Sequence, residues 1–197
     1  MRLIKGLFLL ILFSFSGGQK PIQMDEKSVQ NNAVEVPKTA LVLNALEGRW
    51  YYRNKPFSGN AVTHYSNERL KEKIHFVKGK KEGKAQKWFK NGQIRKKAFY
   101  ISNKLNGTVE VWWINGKIAS ESKYTYGVLN GVQRKWYSDG QIAKKKHITM
   151  GKENGIQQAW LQNGKLYVNY EAKNGRTFGL QRANLCYTLK DENVVEK

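Results

Sequence analysis

The sequence predicts an all-β fold: an elongated antiparallel β-hairpin array of about five 24-residue repeats with atypical end caps. Three observations carry that prediction. Gly59, Gly83, Gly107, Gly131, Gly155 and Gly179 recur at a constant step of 24 with no insertion or deletion, and a fixed period of this length marks a repeat architecture. Five residues after four of these glycines stand Trp88, Trp112, Trp136 and Trp160, followed directly by Phe89, Trp113, Tyr137 and Leu161. An Asn-Gly or Asp-Gly dipeptide comes next, then an aliphatic residue, as in Asn115, Gly116 and Ile118.

Within a repeat, the residues between the leading glycine and the aromatic pair are rich in strand formers, as in Thr108, Val109 and Val111. Asn-Gly supplies two positions suited to positive φ, so it is expected to close a tight hairpin turn. A second strand such as Ile118 to Tyr124 should follow and end in a looser turn carrying Gly79, Gly127, Gly151 or Gly175. One hairpin alone is marginal in water, so the hairpins must pair edge to edge.

Taken in order, residues 1–18 place Arg2 and Lys5 before the apolar run Leu7 to Phe13 and the small residues Ser14, Ser16, Gly17 and Gly18. That is the pattern of a secretory signal peptide, cleaved after Ser16 or Gly18, and it predicts an exported protein of the periplasm, cell surface or extracellular space. Residues 19–40 are polar and aperiodic and read as a flexible tether. Residues 41–58 are expected to form a capping half repeat, because Leu46, Trp50 and Tyr52 lie one period before Leu70, Ile74 and Phe76. The array proper covers 59–178. Its first copy is degraded, with His64 in the tryptophan position and Glu68 in the turn-glycine position. Residues 179–190 are expected to close the array as a capping strand, and 191–197 to form an acidic tail.

Neighbours in a strand point to opposite faces, so Trp88, Trp112, Trp136 and Trp160 should form one column, with Phe89, Trp113 and Tyr137 on the other side. At least one column is expected to build the core, and the other to line a shallow groove. The chain carries 35 Lys and Arg against 15 Asp and Glu, a formal +20; loss of Arg2 and Lys5 with the leader would leave about +18. Lys96, Lys97, Lys144 and Lys145 stand on second strands and, with Trp88, Phe89, Trp112, Trp113, Trp136, Tyr137 and Trp160, are the candidate partner-binding residues. Such charge attracts an anionic partner: another protein, a glycan or another envelope component, or the lipid head groups of a membrane surface. Aromatics among lysines would also suit single-stranded nucleic acid, but an exported protein and the absence of a nucleic-acid motif argue against it.

No catalytic constellation is legible, and neither a metal nor a cofactor is expected. His64, His75 and His147 fall on separate repeats without the spacing of a zinc site. The acidic residues are scattered, with no acid and base placed to converge. Cys186 is the single cysteine, which excludes an intramolecular disulfide and leaves a small buried hydrophobe or an intermolecular link.

The run W-[YF]-x-[ND]-G-x-[IL], with a glycine five residues before it, resembles the MORN-repeat variant found in many bacterial proteins. The resemblance covers 59–178, with Trp50 to Gly59 similar to the half motif that introduces such arrays. It implies a non-enzymatic attachment module for proteins or membrane lipids. Many bacterial members are labelled antitoxins, which implies the alternative of a protein that neutralises a partner toxin by direct binding. The leader departs from that alternative, because an antitoxin of an intracellular toxin stays in the cytoplasm.

Overall fold

The computed structural model describes residues 33–180, 187–190 and 193–196. The expected leader, the tether up to residue 32 and Cys186 lie outside the described residues. The first strands are β1 (Glu35–Pro37), β2 (Val42–Asn44), β3 (Arg49–Tyr52) and β4 (Lys55–Pro56), with a 3-10 turn at Lys38–Ala40 after β1. The repeats follow as β5 (Gly59–His64), β6 (Leu70–Val77), β7 (Lys80–Trp88), β8 (Ile94–Ile101), β9 (Lys104–Leu105), β10 (Gly107–Trp112) and β11 (Ile118–Thr125). They continue as β12 (Val128–Leu129), β13 (Gly131–Trp136), β14 (Ile142–Thr149), β15 (Lys152–Trp160), β16 (Leu166–Lys173) and β17 (Arg176–Leu180). A separate hairpin pairs β18 (Tyr187–Lys190) with β19 (Asn193–Glu196).

From β5 to β17 every strand pairs antiparallel with its predecessor in one sheet, with short β9 and β12 continuing the ladder beside β8 and β11. The fold is therefore the predicted hairpin array. Each hairpin repeats one irregularity. Pairing slips by one residue next to His64, Trp88, Trp112, Trp136 and Trp160. A bulge of this kind bends the strand and raises its twist, and its 24-residue recurrence makes the bend a property of the repeat. The leading glycines face large partners across the ladder: Gly59 opposes Phe76, Gly83 opposes Tyr100 and Gly107 opposes Tyr124. What the three positions share is positive φ, +147°, +73° and +83°, which glycine adopts without steric cost; a Cβ at Gly83 or Gly107 would not reach the ring opposite.

The two turn types are exchanged relative to expectation. The tight two-residue loops of the array are Lys78-Gly79, Ser102-Asn103, Tyr126-Gly127, Met150-Gly151 and Asn174-Gly175, where both members have positive φ. In the Asn-Gly turns only the glycine does. The Trp113 carbonyl accepts from Gly116 N–H at 3.0 Å, and Trp113 N–H donates to Lys117 O at 2.8 Å, the pattern of a three-residue loop with a left-handed third member. The reason lies in the side chain. Oδ1 of Asn91, Asn115, Asp139 and Asn163 accepts from the amide two residues on, at 2.9 to 3.1 Å. Asn and Asp are thus used as acceptors for a local bond, not for their tolerance of positive φ.

Glu68 takes the left-handed position of that loop with φ +63°, a conformation that costs an L-residue about 1–2 kcal/mol. We therefore predict that Glu68→Gly raises stability by about 0.5–1 kcal/mol, the larger unfolded-state entropy of glycine offsetting part of the relief. A thermal midpoint equal to or below wild type would refute it.

The cap differs from expectation in three ways. Structure begins inside the expected tether: Val36 is buried, and β1 pairs parallel with β5 to cover the first sheet edge. The expected half repeat does not extend the sheet at all. Instead β2, β3 and β4 form their own three-stranded sheet, with Leu46 fully exposed and Trp50 and Tyr52 packed on the core. That core is Val36, Leu41, Phe57, Ala61, Ile74 and Phe76, so it sits at one end of the array and neither tryptophan nor turn column builds it. At the other end, Gly179 lies in β17, which pairs back onto β16. The expected closing strand and acidic tail instead contribute β18 and β19 to a hairpin of their own.

Candidate binding faces of the repeat sheet

Strand alternation and the register sort the side chains of the array onto two faces. The first carries Lys73, Lys97, Glu110, Glu121, Arg134 and Lys145 along one cross-strand row. This row mixes both signs. Glu110 stands opposite Lys97, and Arg134 pairs with Glu121 at 2.6 Å, although Glu110 also stands opposite Glu121 and Arg134 opposite Lys145. The tryptophan column belongs here too, since the Lys97 ammonium lies 5.2 Å from the centre of the Trp112 ring, a cation–π contact.

Trp88, Trp112, Trp136 and Trp160 each end a first strand and stand opposite Ile94, Ile118, Ile142 and Leu166. These aromatic–aliphatic pairs stabilise the hairpin by roughly 0.2–1 kcal/mol each, which accounts for the aliphatic residue that ends the motif. All four tryptophans are half-buried. Phe89, Trp113 and Tyr137 are not on the opposite face of a strand, because the strand stops one residue earlier; each opens the three-residue turn. Their polar heads tie one repeat to the next. Trp113 Nε1–H donates to the Trp136 carbonyl at 3.2 Å, and the Tyr137 hydroxyl to that of Trp160 at 2.9 Å. Tyr65 does the same to Trp88 at 2.9 Å, while Phe89, lacking a donor, lies under the Arg95 guanidinium at 5.6 Å.

The second face is different in charge. Its register row reads Thr63, Glu72, Lys87, Lys96, Val111, Ser120, Lys135, Lys144, Ala159 and Val168. Lys87 stands directly opposite Lys96, and Lys135 directly opposite Lys144. Like charges in that relation are destabilising. Of these four, Lys87 reaches Glu72 at 2.8 Å, whereas none of the five ion pairs among the described residues includes Lys96, Lys135 or Lys144. Burial pushes the Lys96 and Lys144 ammonium groups below the usual lysine range, and neighbouring lysines add to it.

Two residues along each strand runs a row of smaller side chains, among them Ala85, Ala98, Val109, Ser122 and Gln133. Ala98 and Val109 are buried although they lie beyond the cap's core cluster. Two residues further lie Tyr100 and Tyr124, with the Lys81 ammonium 5.4 Å from the Tyr100 ring centre. Lys146, Glu153 and Tyr170 close this face at the far hairpins: Lys146 Nζ and the Tyr170 hydroxyl donate to Glu153 at 2.5 and 2.6 Å. That bond pushes the Tyr170 hydroxyl up to about 12.

At the capped end Glu72 is buried and bridges Lys38 at 2.5 Å and Lys87 at 2.8 Å, joining cap, first and second hairpins. Burial alone would raise its carboxyl, but the two ammonium groups together hold it below the usual range. A folded-state value below the unfolded one contributes stability that is complete above the unfolded value near 4.5 and is lost as pH falls through the folded value. Glu72→Gln should therefore lower stability by about 1–2 kcal/mol at pH 7, less than for a fully enclosed pair because both lysines reach solvent. Urea unfolding at pH 7 and pH 3 checks this; an equal loss at both would contradict it.

The structure thus separates residues that the sequence grouped. Lys96 and Lys144 share the face that bears the opposed lysine pairs; Lys97 and Lys145 share the other with the tryptophans. Lys87 and Lys135 escaped the sequence reading. They occupy one repeat position, immediately before Trp88 and Trp136, where other copies have Thr63, Val111 and Ala159, and that alternation was their signal. Among the described residues no group of three His, Cys, Asp or Glu could hold a metal ion. His147 Nδ1–H donates to the Ile156 carbonyl at 2.7 Å, and His75 Nδ1 lies 3.1 Å from Asn60 Oδ1.

No match to this chain is found among curated proteins. Two stretches of it, residues 81–102 and 129–148, match the family described as MORN repeat variant; each contains one of the two Lys–Lys pairs, on the hairpin strands just described.

Proposed function

We propose that this protein is an exported, non-enzymatic binding scaffold that holds an anionic partner of the cell envelope. The contact lies on the face bearing the Lys87–Lys96 and Lys135–Lys144 pairs. The observation that carries this reading is the two pairs in one row: cations placed directly opposite one another cost stability, and an anion lying between them reverses the sign. The opposed Arg134 and Lys145 of the other face instead share their row with Glu110 and Glu121. MORN repeats generally serve as binding or scaffold modules, which agrees with a role in attachment. The leader pattern of residues 1–18 supports the location.

Two face-specific double variants test it. Retention of tagged protein on a washed envelope preparation should fall at least about tenfold for Lys96→Glu with Lys144→Glu, a loss on the order of 1.4 kcal/mol or more. Lys97→Glu with Lys145→Glu makes the same change in net charge on the other face and should stay within about twofold. Equal losses would show that net charge, not this face, does the binding. Mass spectrometry of the mature amino terminus, expected after Ser16 or Gly18, tests export.

A further inference from the structure

We infer that the partner is a single, linear, sparsely charged acidic polysaccharide lying lengthwise across hairpins two to four; this rests on the anion-binding role of the lysine face. Three features of that face define the ligand. The first is its width. The lysine row (Lys87, Lys96, Lys135, Lys144) and the tyrosine row (Tyr100, Tyr124) flank the small residues Ala98, Val109 and Ser122. The flanking rows are four residues apart along each strand, ~13 Å at the backbone. Such a trough admits one extended chain and excludes a duplex or a globular surface.

The second is the spacing of charge. Between Lys96 on β8 and Lys135 on β13 lie β10 and β11, which present Val111 and Ser120 in the same row. Three ladder steps make ~14 Å without a cation. A single-stranded nucleic acid carries a phosphate on every residue and would set charged groups against Val109, Val111 and Ser122. A glycan with an acid on only some of its sugars leaves hydroxyls there, and Ser120, Ser122 and Gln133 can exchange hydrogen bonds with them.

The third is what the trough lacks. A bound peptide gains most from adding to a free strand edge, but the backbone of the central strands is already paired on both sides. A sugar chain needs no such edge. Its apolar ring faces suit Tyr124, whose own ring is half-buried with a polar tip.

The test measures binding of the full mature chain to defined polymers by calorimetry. The probes are a uronic-acid copolymer with one carboxylate per disaccharide, the same copolymer cut to disaccharides, neutral dextran, oligothymidylate and polyglutamate. The copolymer is expected to bind at least tenfold tighter than dextran and than its own disaccharide, since only a long chain reaches both lysine pairs. Lys96→Ser with Lys135→Ser, which relieves like-charge repulsion and so should fold, is expected to weaken it tenfold or more. Oligothymidylate or polyglutamate binding as tightly as the copolymer would overturn the inference in favour of those classes. If no glycan binds while envelope retention still depends on Lys96 and Lys144, the glycan assignment fails and the lysine face stands. If retention ignores that face as well, both fall together.

Discussion

Phe76→Ala is expected to lower stability by about 3–5 kcal/mol, the range for emptying a buried aromatic site. Phe76 is fully buried and one of the two largest side chains with no exposure. Its ring meets Phe57 at 5.9 Å and Trp50 at 6.1 Å, so it is where the cap sheet and the first hairpin share one core. Domains of this size are stable by only about 5–15 kcal/mol, and one substitution then removes a large share. Denaturant unfolding followed by tryptophan fluorescence measures the loss. A drop below about 1 kcal/mol would mean that the cap is not held by this cluster.

Gly59→Ala should follow at about 3 kcal/mol, for a different reason. A Cβ there would lie 2.3 Å from the Val34 carbonyl oxygen and 2.9 Å from the Phe57 ring, and its φ of +147° is one that L-residues avoid. The alanine must push the chain away, breaking the bond from Asn60 N–H to Val34 O at 2.8 Å and straining the parallel β1–β5 pairing. Strain of about 1–3 kcal/mol and one or two lost hydrogen bonds at about 1 kcal/mol each give the estimate. Gly107→Ala is the control, since its Cβ would meet nothing within 4 Å and only the backbone strain at φ +83° remains. Equal losses at the two positions would remove the close contact with β1 from the account.

The array was legible because its period is strict and because aromatic, turn and aliphatic positions keep one spacing. The cap was not, because Val36, Leu41 and Phe57 come from short segments that show neither alternation nor repeat, and only their distant partners Ile74 and Phe76 make them core. The turns were misassigned for a local reason: Asn-Gly fits both a two-residue loop and a three-residue one, and what decides is whether the Asn side chain bonds the amide two residues on. The candidate site was half visible. Lys96, Lys97, Lys144 and Lys145 stand out as runs, but a run says nothing of faces until alternation divides it. Lys87 and Lys135 lie on first strands, and it takes the register to set them against Lys96 and Lys144.

The bonds from Tyr65, Trp113 and Tyr137 each reach 23 residues forward to the tryptophan carbonyl of the following copy. Three of the junctions between copies are therefore made by the same kind of vector, while the Phe89 junction has no such donor and rests on the β8–β10 ladder, so loss or gain of a whole copy keeps the kinds of joint already present. What changes is the distance between the two lysine pairs: excising residues 107–130 would make the hairpins that carry them adjacent. Whole-unit duplication or deletion thus acts on this chain as a gauge, altering the interval between its charged stations in fixed increments while the construction of each station stays the same.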